Sequence, residues 1–478
     1  INIKSYEDFI LNVPIHSYED LRLYIKDQEK YQKNFINISQ PVLYAQTSGT
    51  TDTPKYIPIL KNSLRQYKKS QHIVAYTEYK DISKVYDGKI LAIVSPAIEG
   101  ELKSKTPYGS MSGLIYQSMP RFFYNKYVVP PKIFQINDYD LKYYLISAFA
   151  LAEQDITLIA TANPSTILKI NAVISEQWDN LVTEVELGNK YGLRPNPKRA
   201  QDLRELYSNK AKYIFADLWP NLKSVTTWMD GSCAVLIPIL RKLLSQSTKI
   251  VEMGYISSEF RGSINIDVIN NKCIPTIHEN FFEFVERDEW ENKNSNFLTI
   301  ENIKKGKQYY VFVTTQNGLY RYFINDIIEV NGRFNKTPTI NFVQKGKGVT
   351  NITGEKLYES QVIAAIQAFK KEIDLEFDFF VMIANQKSLG YSLYIETEQL
   401  IGSAKTFEKH LSNLNIEFKQ KRNSGRLKPT SIMLLKSGTA DSYKKYCIKN
   451  GQREGQFKMI NLQYQQECSF NFDKYIRT

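Results

Sequence analysis

The stretch YAQTSGTTDTPKYIP at residues 44–58 decides how this chain is interpreted. It begins as a short strand and continues into a turn rich in hydroxyl side chains, with a glycine and a lysine nearby. Hydroxyls, glycine-permitted backbone N–H groups and one ammonium can together wrap a polyphosphate. The alternative is a surface turn of the kind that serine and threonine favour. The candidate phosphate-binding residues are Thr47, Ser48, Gly49, Thr50, Thr51 and Lys55.

The spacing is not that of a Walker loop, because the G-x-x-x-x-G-K-[ST] pattern is absent. The order of residues instead resembles the phosphate loop of the adenylate-forming superfamily. The continuation Lys55-Tyr56-Ile57-Pro58 is similar to one branch, the Gretchen Hagen (auxin-responsive) acyl acid–amido synthetases. Asp52 stands where the superfamily usually has glycine. Aspartate tolerates left-handed backbone, but its charge beside a triphosphate requires an offsetting cation.

A second segment, MGYISSEFRGSI (253–264), resembles the family's Tyr-x-x-Ser-Glu motif, which follows a strand. The resemblance implies that the Tyr255 ring lies against adenine, that Ser258 contacts the α-phosphate and that Glu259 helps to hold Mg²⁺. Each residue type suits its role, since a ring can stack and a carboxylate oxygen is a hard ligand for a hard cation. Taken alone, such a segment is more often a strand end with a solvated glutamate.

A third segment, GLYRYFINDIIEV (318–330), resembles the family's Tyr-Arg-Tyr-x-x-Gly-Asp motif. The resemblance implies that Asp326 accepts hydrogen bonds from both ribose hydroxyls, which one carboxylate can do side by side. Asn325 replaces the usual glycine, and asparagine also adopts unusual backbone angles. For Arg321 two interpretations stay open: it pairs with an acid inside the sheet, or it acts near the nucleotide.

Two more motifs lie towards the end of the chain. NITGEKLYES (351–360) resembles the family's Gly-Glu-Lys segment. Lys347 falls at the position of the superfamily's hinge residue, and we count it among the candidate nucleotide-binding residues. In GQREGQFKMINL (451–462), Lys458 corresponds to the catalytic lysine that reaches the substrate carboxylate and the α-phosphate. Such a cation is needed because two anions meet and charge grows on phosphorus. Without its motif, Lys458 would be one more surface lysine.

The acyl pocket is less clearly marked. SPAIEG (95–100), TPYGSMSGLIY (106–116) and TWMDGSC (227–233) resemble three family segments near the substrate. Met111, Tyr116 and Trp228 could line an apolar cavity, and they could equally be core residues.

The charge, the cysteine spacing and the lengths of the apolar runs argue against several classes of protein. The formal net charge of +12 allows nucleic-acid binding, but no cationic run alternates with glycine or aromatics, so a lysine-rich surface is favoured. The four cysteines form no C-x-x-C pair, which argues against a zinc site or a disulfide framework and makes the reducing cytoplasm the simplest location. No stretch approaches about 18 consecutive apolar residues, so no membrane span is expected.

The alternation of elements indicates the fold. Strands at 44–46, 89–95, 156–162, 224–229 and 250–257 alternate with helices from about Asn62, at 141–154 and from Pro164. This pattern predicts α/β sheets covered by helices. From about residue 278 the pattern is β-rich, with a hairpin turn at 316–318. We therefore predict a large adenylate-forming domain at 1–344 with mixed sheets and a β-rich subdomain, which binds ATP and the acyl acid. A small mobile α+β domain follows at 345–478.

The resemblance covers nearly the whole chain. SYEDFILNVPIHSYEDL (5–21) is similar to a segment that lies well inside the family's chains, so the sequence is expected to begin in the interior. The resemblance implies a ligase that uses ATP and Mg²⁺ to turn a small carboxylic acid into an acyl-adenylate and then forms an amide with an amino acid or another amine. The alternatives are an acyl-CoA ligase, a nucleotide-binding protein without turnover and, more distantly, an RNA-binding protein. Neither the acid nor the amine can be identified from these residues.

Overall fold

The computed structural model describes residues 3–47, 55–117, 121–209, 213–346, 348–353, 355, 357–399, 401, 404–450, 452, 457 and 459–477. The chain forms two compact units. The first contains Ile1–Met229, Leu240–Ile324 and Ile328–Asn341, and the second contains Asp230–Ile239, Asn325–Ile327 and Phe342–Thr478. Because this division is not a single cut in the sequence, the boundary at 344/345 stays a prediction.

The helices alternate with strands as the sequence pattern predicts, and the helix expected from about Asn62 begins at Lys61. They are α1 (Tyr6–Asn12), α2 (Tyr18–Tyr31), α3 (Lys61–Asp81), α4 (Met111–Gln117), α5 (Arg121–Tyr124), α6 (Tyr139–Ala152), α7 (Pro164–Glu176), α8 (Trp178–Leu187), α9 (Pro197–Asn209), α10 (Phe215–Leu218), α11 (Ile237–Lys242), α12 (Arg287–Glu291), α13 (Glu359–Glu372), α14 (Ala404–Leu414), α15 (Ile416–Asn423) and α16 (Thr439–Lys449).

The strands are β1 (Leu43–Thr47), β2 (Lys55–Ile59), β3 (Lys89–Ala92), β4 (Gly100–Glu101), β5 (Pro107–Gly109), β6 (Ile156–Ala160), β7 (Ser224–Thr227), β8 (Lys249–Glu252), β9 (Ser263–Asp267), β10 (Lys272–Pro275), β11 (Phe281–Glu286), β12 (Gln308–Thr314), β13 (Tyr322–Phe334), β14 (Thr337–Lys345), β15 (Val349–Thr350), β16 (Leu357–Tyr358), β17 (Phe380–Asn385), β18 (Gly390–Glu396), β19 (Ser431–Leu435) and β20 (Leu462–Tyr464).

A parallel sheet forms the centre of the first unit. Its strand order is β3-β6-β7-β8, and each neighbouring pair is parallel. Helices cover such a sheet on its faces, so its strands are short apolar runs. Helix α6 shares a hydrophobic core with this sheet and is buried around most of its circumference. Asp138 caps its N-terminus, where the carboxylate accepts the Leu141 N–H at 3.0 Å.

The first unit contains further sheets. One has the order β2-β1-β5-β4, with β1 antiparallel to β2 and parallel to β5. The β-rich segment gives the order β11-β12-β13-β14. The predicted hairpin turn lies between β12 and β13, and its Gly318 has a φ of +83°. Glycine is the residue that adopts this angle without steric cost.

The second unit is a mixed sheet with helices packed against it. Its strand order is β19-β18-β17-β20, with β17 antiparallel to β18 and parallel to β20. Helices α13 and α14 pack together through the rings of Phe369 and Phe407, whose centroids lie 6.0 Å apart. Among the described residues, no helix combines the length and the apolar character that crossing a membrane requires.

Candidate active site

The site begins at one edge of the parallel sheet. Neighbouring parallel strands end on the same side, and loops at that edge commonly bind ligands in α/β proteins. Trp228 follows β7, and the segment that contains Tyr255, Ser258 and Glu259 follows β8. Two of the sequence motifs therefore leave the sheet side by side. Trp228 is partly exposed, and its backbone N–H donates to the Ala162 carbonyl at 2.9 Å.

A buried carboxylate that the sequence analysis did not single out joins these two loops. Glu252, the last residue of β8, accepts the Met229 N–H at 2.6 Å and the Gly254 N–H at 2.8 Å. Glu252 is only 6% exposed, and hydrogen bonds to a charged acceptor are stronger than neutral ones. Its carboxylate therefore fixes the start of the Tyr255 loop relative to β7.

The Tyr255 loop folds back on itself. The Tyr255 carbonyl accepts the N–H groups of Gly262 and Ser263, and the Tyr255 N–H donates to the Ser263 hydroxyl at 2.8 Å. A Cβ atom on Gly262 would lie 2.2 Å from the Tyr255 ring, so only glycine fits beneath it. The ring is 5% exposed and meets the edge of Phe260 at 5.4 Å. Its orientation is therefore fixed before any ligand binds.

Arg261 fastens this loop to α3. The guanidinium donates to the Ser263 carbonyl at 3.3 Å, to the Met253 carbonyl at 3.4 Å and to the Gln71 side chain of α3 at 2.8 Å. The residue is 1% exposed, and burial lowers the pKa of Arg261 from its ordinary value. This role of Arg261 was not predicted, because the motif spacing identifies only Tyr255, Ser258 and Glu259.

The loop and α3 enclose a pocket with about 390 Å³ of open space, counting its mouth. Three of the predicted site residues line it together: Ser258, Glu259 and Met111. The other lining residues are Ile59, Ser63, Gln66, Tyr67, Phe260, Arg261, Glu279, Asn280, Thr315, Gln316 and Asn317.

Tyr116 lies elsewhere. Its ring packs against Tyr127 at 4.3 Å and Phe134 at 5.9 Å, and its hydroxyl donates to the Val129 carbonyl at 3.1 Å. The structure does not place it among the residues that line the pocket above. These contacts favour the core interpretation of Tyr116 over the substrate-binding one.

The predicted phosphate loop connects two paired strands. Thr47, at the end of β1, is opposite Lys55, at the start of β2. The Lys55 ammonium lies 5.3 Å from the centre of the Tyr18 ring, and the Tyr18 hydroxyl accepts the Tyr56 N–H at 2.7 Å. The two ends of the loop are therefore held together. Ser48, Gly49, Thr50 and Thr51 lie outside the described residues, as does Asp52.

In the second unit, Asp326 is completely buried and accepts a hydrogen bond from the Lys345 ammonium at 2.6 Å. Asn325 has a φ of +60°, which is the left-handed backbone that a glycine would supply at this position. Its carbonyl accepts the Gly346 N–H at 2.7 Å. Lys345 is a partner that the sequence analysis missed. Lys347 and Lys458 lie outside the described residues.

Arg321 belongs to the framework of the first unit. Its guanidinium pairs with the Glu283 carboxylate at 2.9 Å and donates to the carbonyls of Ile10 and Val13. Arg321 is 3% exposed and Glu283 is 1% exposed, so this ion pair is excluded from water. Of the two interpretations left open by the sequence, these contacts support the structural one.

The glutamate of the Gly-Glu-Lys segment also holds the backbone around it in place. Glu355 accepts the N–H groups of Ile352 and Thr353 at 2.7 and 2.8 Å and the Tyr391 hydroxyl at 2.7 Å. Burial opposes ionisation of Glu355, but these hydrogen bonds outweigh it and lower its pKa. The carboxylate therefore fixes the segment that follows the predicted hinge.

Comparison with known proteins gives matches along most of the chain. Residues 1–250 match the GH3 family N-terminal domain, 273–345 the GH3 family central domain and 360–467 the GH3 family C-terminal domain. The Arabidopsis thaliana indole-3-acetic acid-amido synthetase GH3.15 is 24% identical over 95% of this chain and 84% of its own length. The 4-substituted benzoates-glutamate ligase GH3.12 of the same plant is 24% identical over 95% of this chain and 86% of its own length.

The fold agrees with these matches. The solved structure of the AtGH3.15 acyl acid amido synthetase in complex with 2,4-DB superimposes with a TM-score of 0.85, at 21% identity, over 99% of this chain and 89% of that one. These findings confirm the predicted fold class and the prediction of an ATP-dependent ligase that activates a carboxylic acid and forms an amide. The chain therefore belongs to the GH3 family.

Proposed function

We propose that this chain joins a small carboxylic acid to an amino acid through an acyl-adenylate formed in the pocket lined by Met111, Ser258 and Glu259. The observation that carries this proposal is that residues from two distant motifs meet in one pocket at the carboxyl edge of the parallel sheet. In the first step a carboxylate oxygen attacks the α-phosphorus of ATP, and pyrophosphate leaves. In the second step the amine attacks the acyl carbonyl, and AMP leaves.

The protein supplies position and charge in the first step, since phosphoryl chemistry of this kind needs no protein nucleophile. Ser258 would donate to the α-phosphate, and the fixed ring of Tyr255 would lie against adenine. Thr47 and Lys55, at the two ends of the hairpin loop, would bring the loop residues Ser48, Gly49, Thr50 and Thr51 to the β- and γ-phosphates.

Glu259 would hold Mg²⁺. Within the described part of the chain, no group of three or more His, Cys, Asp or Glu side chains is placed to bind a metal ion. A single carboxylate nevertheless fits Mg²⁺, because this ion is usually held by one or two carboxylates together with substrate phosphates and water. When bound, the ion would neutralise phosphate charge as pyrophosphate leaves.

The roles in the second unit rest on the motifs and on one ion pair. Asp326 would accept the ribose hydroxyls, with the Lys345 ammonium donating to the same buried carboxylate. Lys458 would neutralise the charge that develops on phosphorus, and Lys347 would lie at the hinge between a domain at 1–344 and a mobile domain at 345–478. All four cysteines are thiols, which fits a reducing cytoplasm.

Acid-dependent exchange of pyrophosphate into ATP tests the first step, and mass spectrometry of the product tests the second. We expect exchange with at least one acid in a panel of aliphatic and aromatic acids, a requirement for Mg²⁺, and an acyl-amino acid as product without CoA. An acyl-CoA product would favour the acyl-CoA ligase. Tight ATP binding with no exchange for any acid would favour the protein without turnover.

A further inference from the structure

The helix α3 buries several polar side chains together with apolar ones. Its buried residues are Tyr67, Ser70, Val74, Thr77 and Glu78. Its opposite face exposes 38% of Ile73, 65% of Tyr76 and 66% of Tyr79. A buried polar face is the informative case, because burying hydroxyls costs free energy unless they gain partners.

Part of this polar face lines the pocket that contains Ser258 and Glu259. Ser63, Gln66 and Tyr67 line it, and their spacing of three and four residues puts them on one side of the helix. The Ser63 hydroxyl is buried, and none of the residues that the structure describes hydrogen-bonds to it. Tyr67 is 7% exposed, and burial raises its pKa to about 12. Within the described residues, no protein group accepts from or donates to the Tyr67 hydroxyl.

Two charged groups of the pocket, Arg261 and Glu279, in contrast already have protein partners. Arg261 donates to two backbone carbonyls and to Gln71. Glu279 accepts the Ser70 hydroxyl and lies 3.3 Å from the His278 imidazole. Apart from Glu259, which the function proposed above assigns to Mg²⁺, the pocket wall carries one cation, Arg261, and one anion, Glu279, so a ligand group with a net charge would meet a like charge on one side.

We propose that the carboxylic acid bound in this pocket carries an uncharged hydroxyl or carbonyl oxygen that hydrogen-bonds to Tyr67 and Ser63. Both side chains can donate and accept, so they match either group. A purely hydrocarbon acid would leave both hydroxyls buried and unpaired, which selects against it. The assignment of the pocket to the acid rests on the function proposed above, whereas the chemistry of its wall does not.

Equilibrium binding tests the proposal without requiring turnover. Titration calorimetry would compare hexanoate with its hydroxylated isomers, with adipate and with 6-aminohexanoate, and benzoate with the three hydroxybenzoates. We expect at least one hydroxylated acid to bind about tenfold more tightly than its unsubstituted parent, the range that one or two added hydrogen bonds provide. Tyr67→Phe should remove most of this advantage and leave the parent acid's affinity within about twofold.

Tyr76→Phe is the matched control, since it removes the same hydroxyl from the exposed face of the same helix, and it should change nothing. The proposal is overturned if the parent acids bind as tightly as every hydroxylated acid, if the dicarboxylate or the amino acid binds best, if no acid binds, or if Tyr67→Phe weakens parent and hydroxylated acids equally. Pyrophosphate exchange distinguishes a failure of the pocket chemistry from a failure of the proposed function. Selective binding without exchange would support the pocket chemistry and contradict the proposed function.

Discussion

Replacing Arg321 by methionine should unfold the first unit much more easily and leave nucleotide affinity unchanged. The guanidinium pairs with Glu283 inside the protein, at 3% and 1% exposure, and it also holds the carbonyls of Ile10 and Val13. Breaking a buried ion pair by removing one partner costs about 3–5 kcal/mol, because the other charge stays behind without compensation. Methionine keeps the packing against the Phe297 ring, 4.4 Å from the guanidinium, so the loss measures charge and hydrogen bonds.

Urea unfolding at pH 7 gives the change in the free energy of unfolding, and a double-mutant cycle gives its origin. Glu283→Gln alone should also cost several kcal/mol, whereas the double variant Arg321→Met/Glu283→Gln should cost clearly less than the sum, because neither partner is left alone. Calorimetry on the folded protein should give the wild-type affinity for ATP. Unchanged stability together with ATP binding weakened more than about tenfold (about 1.4 kcal/mol) would refute the structural role of Arg321.

Three further outcomes follow from the sites described. Asp326→Ala should weaken ATP binding by about 1–3 kcal/mol through the loss of charged hydrogen bonds; an unchanged dissociation constant in calorimetry would remove Asp326 from the ribose site. Lys458→Ala should slow pyrophosphate exchange by about 10²–10³-fold with little change in ATP affinity, and a normal exchange rate would contradict its catalytic role. Burial raises the pKa of Glu359 to about 8, so the wild type should lose about 1.4 kcal/mol of stability per pH unit as pH rises from about 5 to 8. Glu359→Gln should remove this slope in hydrogen-exchange measurements on β17 and β18, and equal slopes would show that Glu359 is not the titrating group.

The sequence predicted features that depend on local chemistry. The helix expected from about Asn62 begins at Lys61, and the predicted turn lies between β12 and β13, where Gly318 adopts the positive φ that glycine allows. Asn325 adopts the left-handed backbone that its position in a glycine motif required. Each of these is fixed by a few adjacent residues.

Features that depend on distant residues could not be predicted in this way. Lys345 reaches Asp326 only because two strands run side by side, and neither residue carries a sign of the other in its own motif. Arg261 donates a hydrogen bond to Gln71, which lies 190 residues away in the sequence. The polar face of α3 is visible in the sequence, but its burial is not. Tyr76 and Tyr79 of the same helix are exposed.

Because Thr47 pairs with Lys55, a change in the length of the loop between them should have a different effect from a change in the length of the strands, whether it arises by natural variation or by engineering. An insertion or deletion between these two residues alters only the loop, because the strands on either side keep their register. The same change inside β2 would turn its side chains to the opposite face and move Ile57 and Ile59, at 0% and 1% exposure, out of the core. The length of the loop can therefore be changed independently of folding. Libraries of variants that differ in the length of this loop should contain far more folded proteins than libraries that differ in the length of β1 or β2.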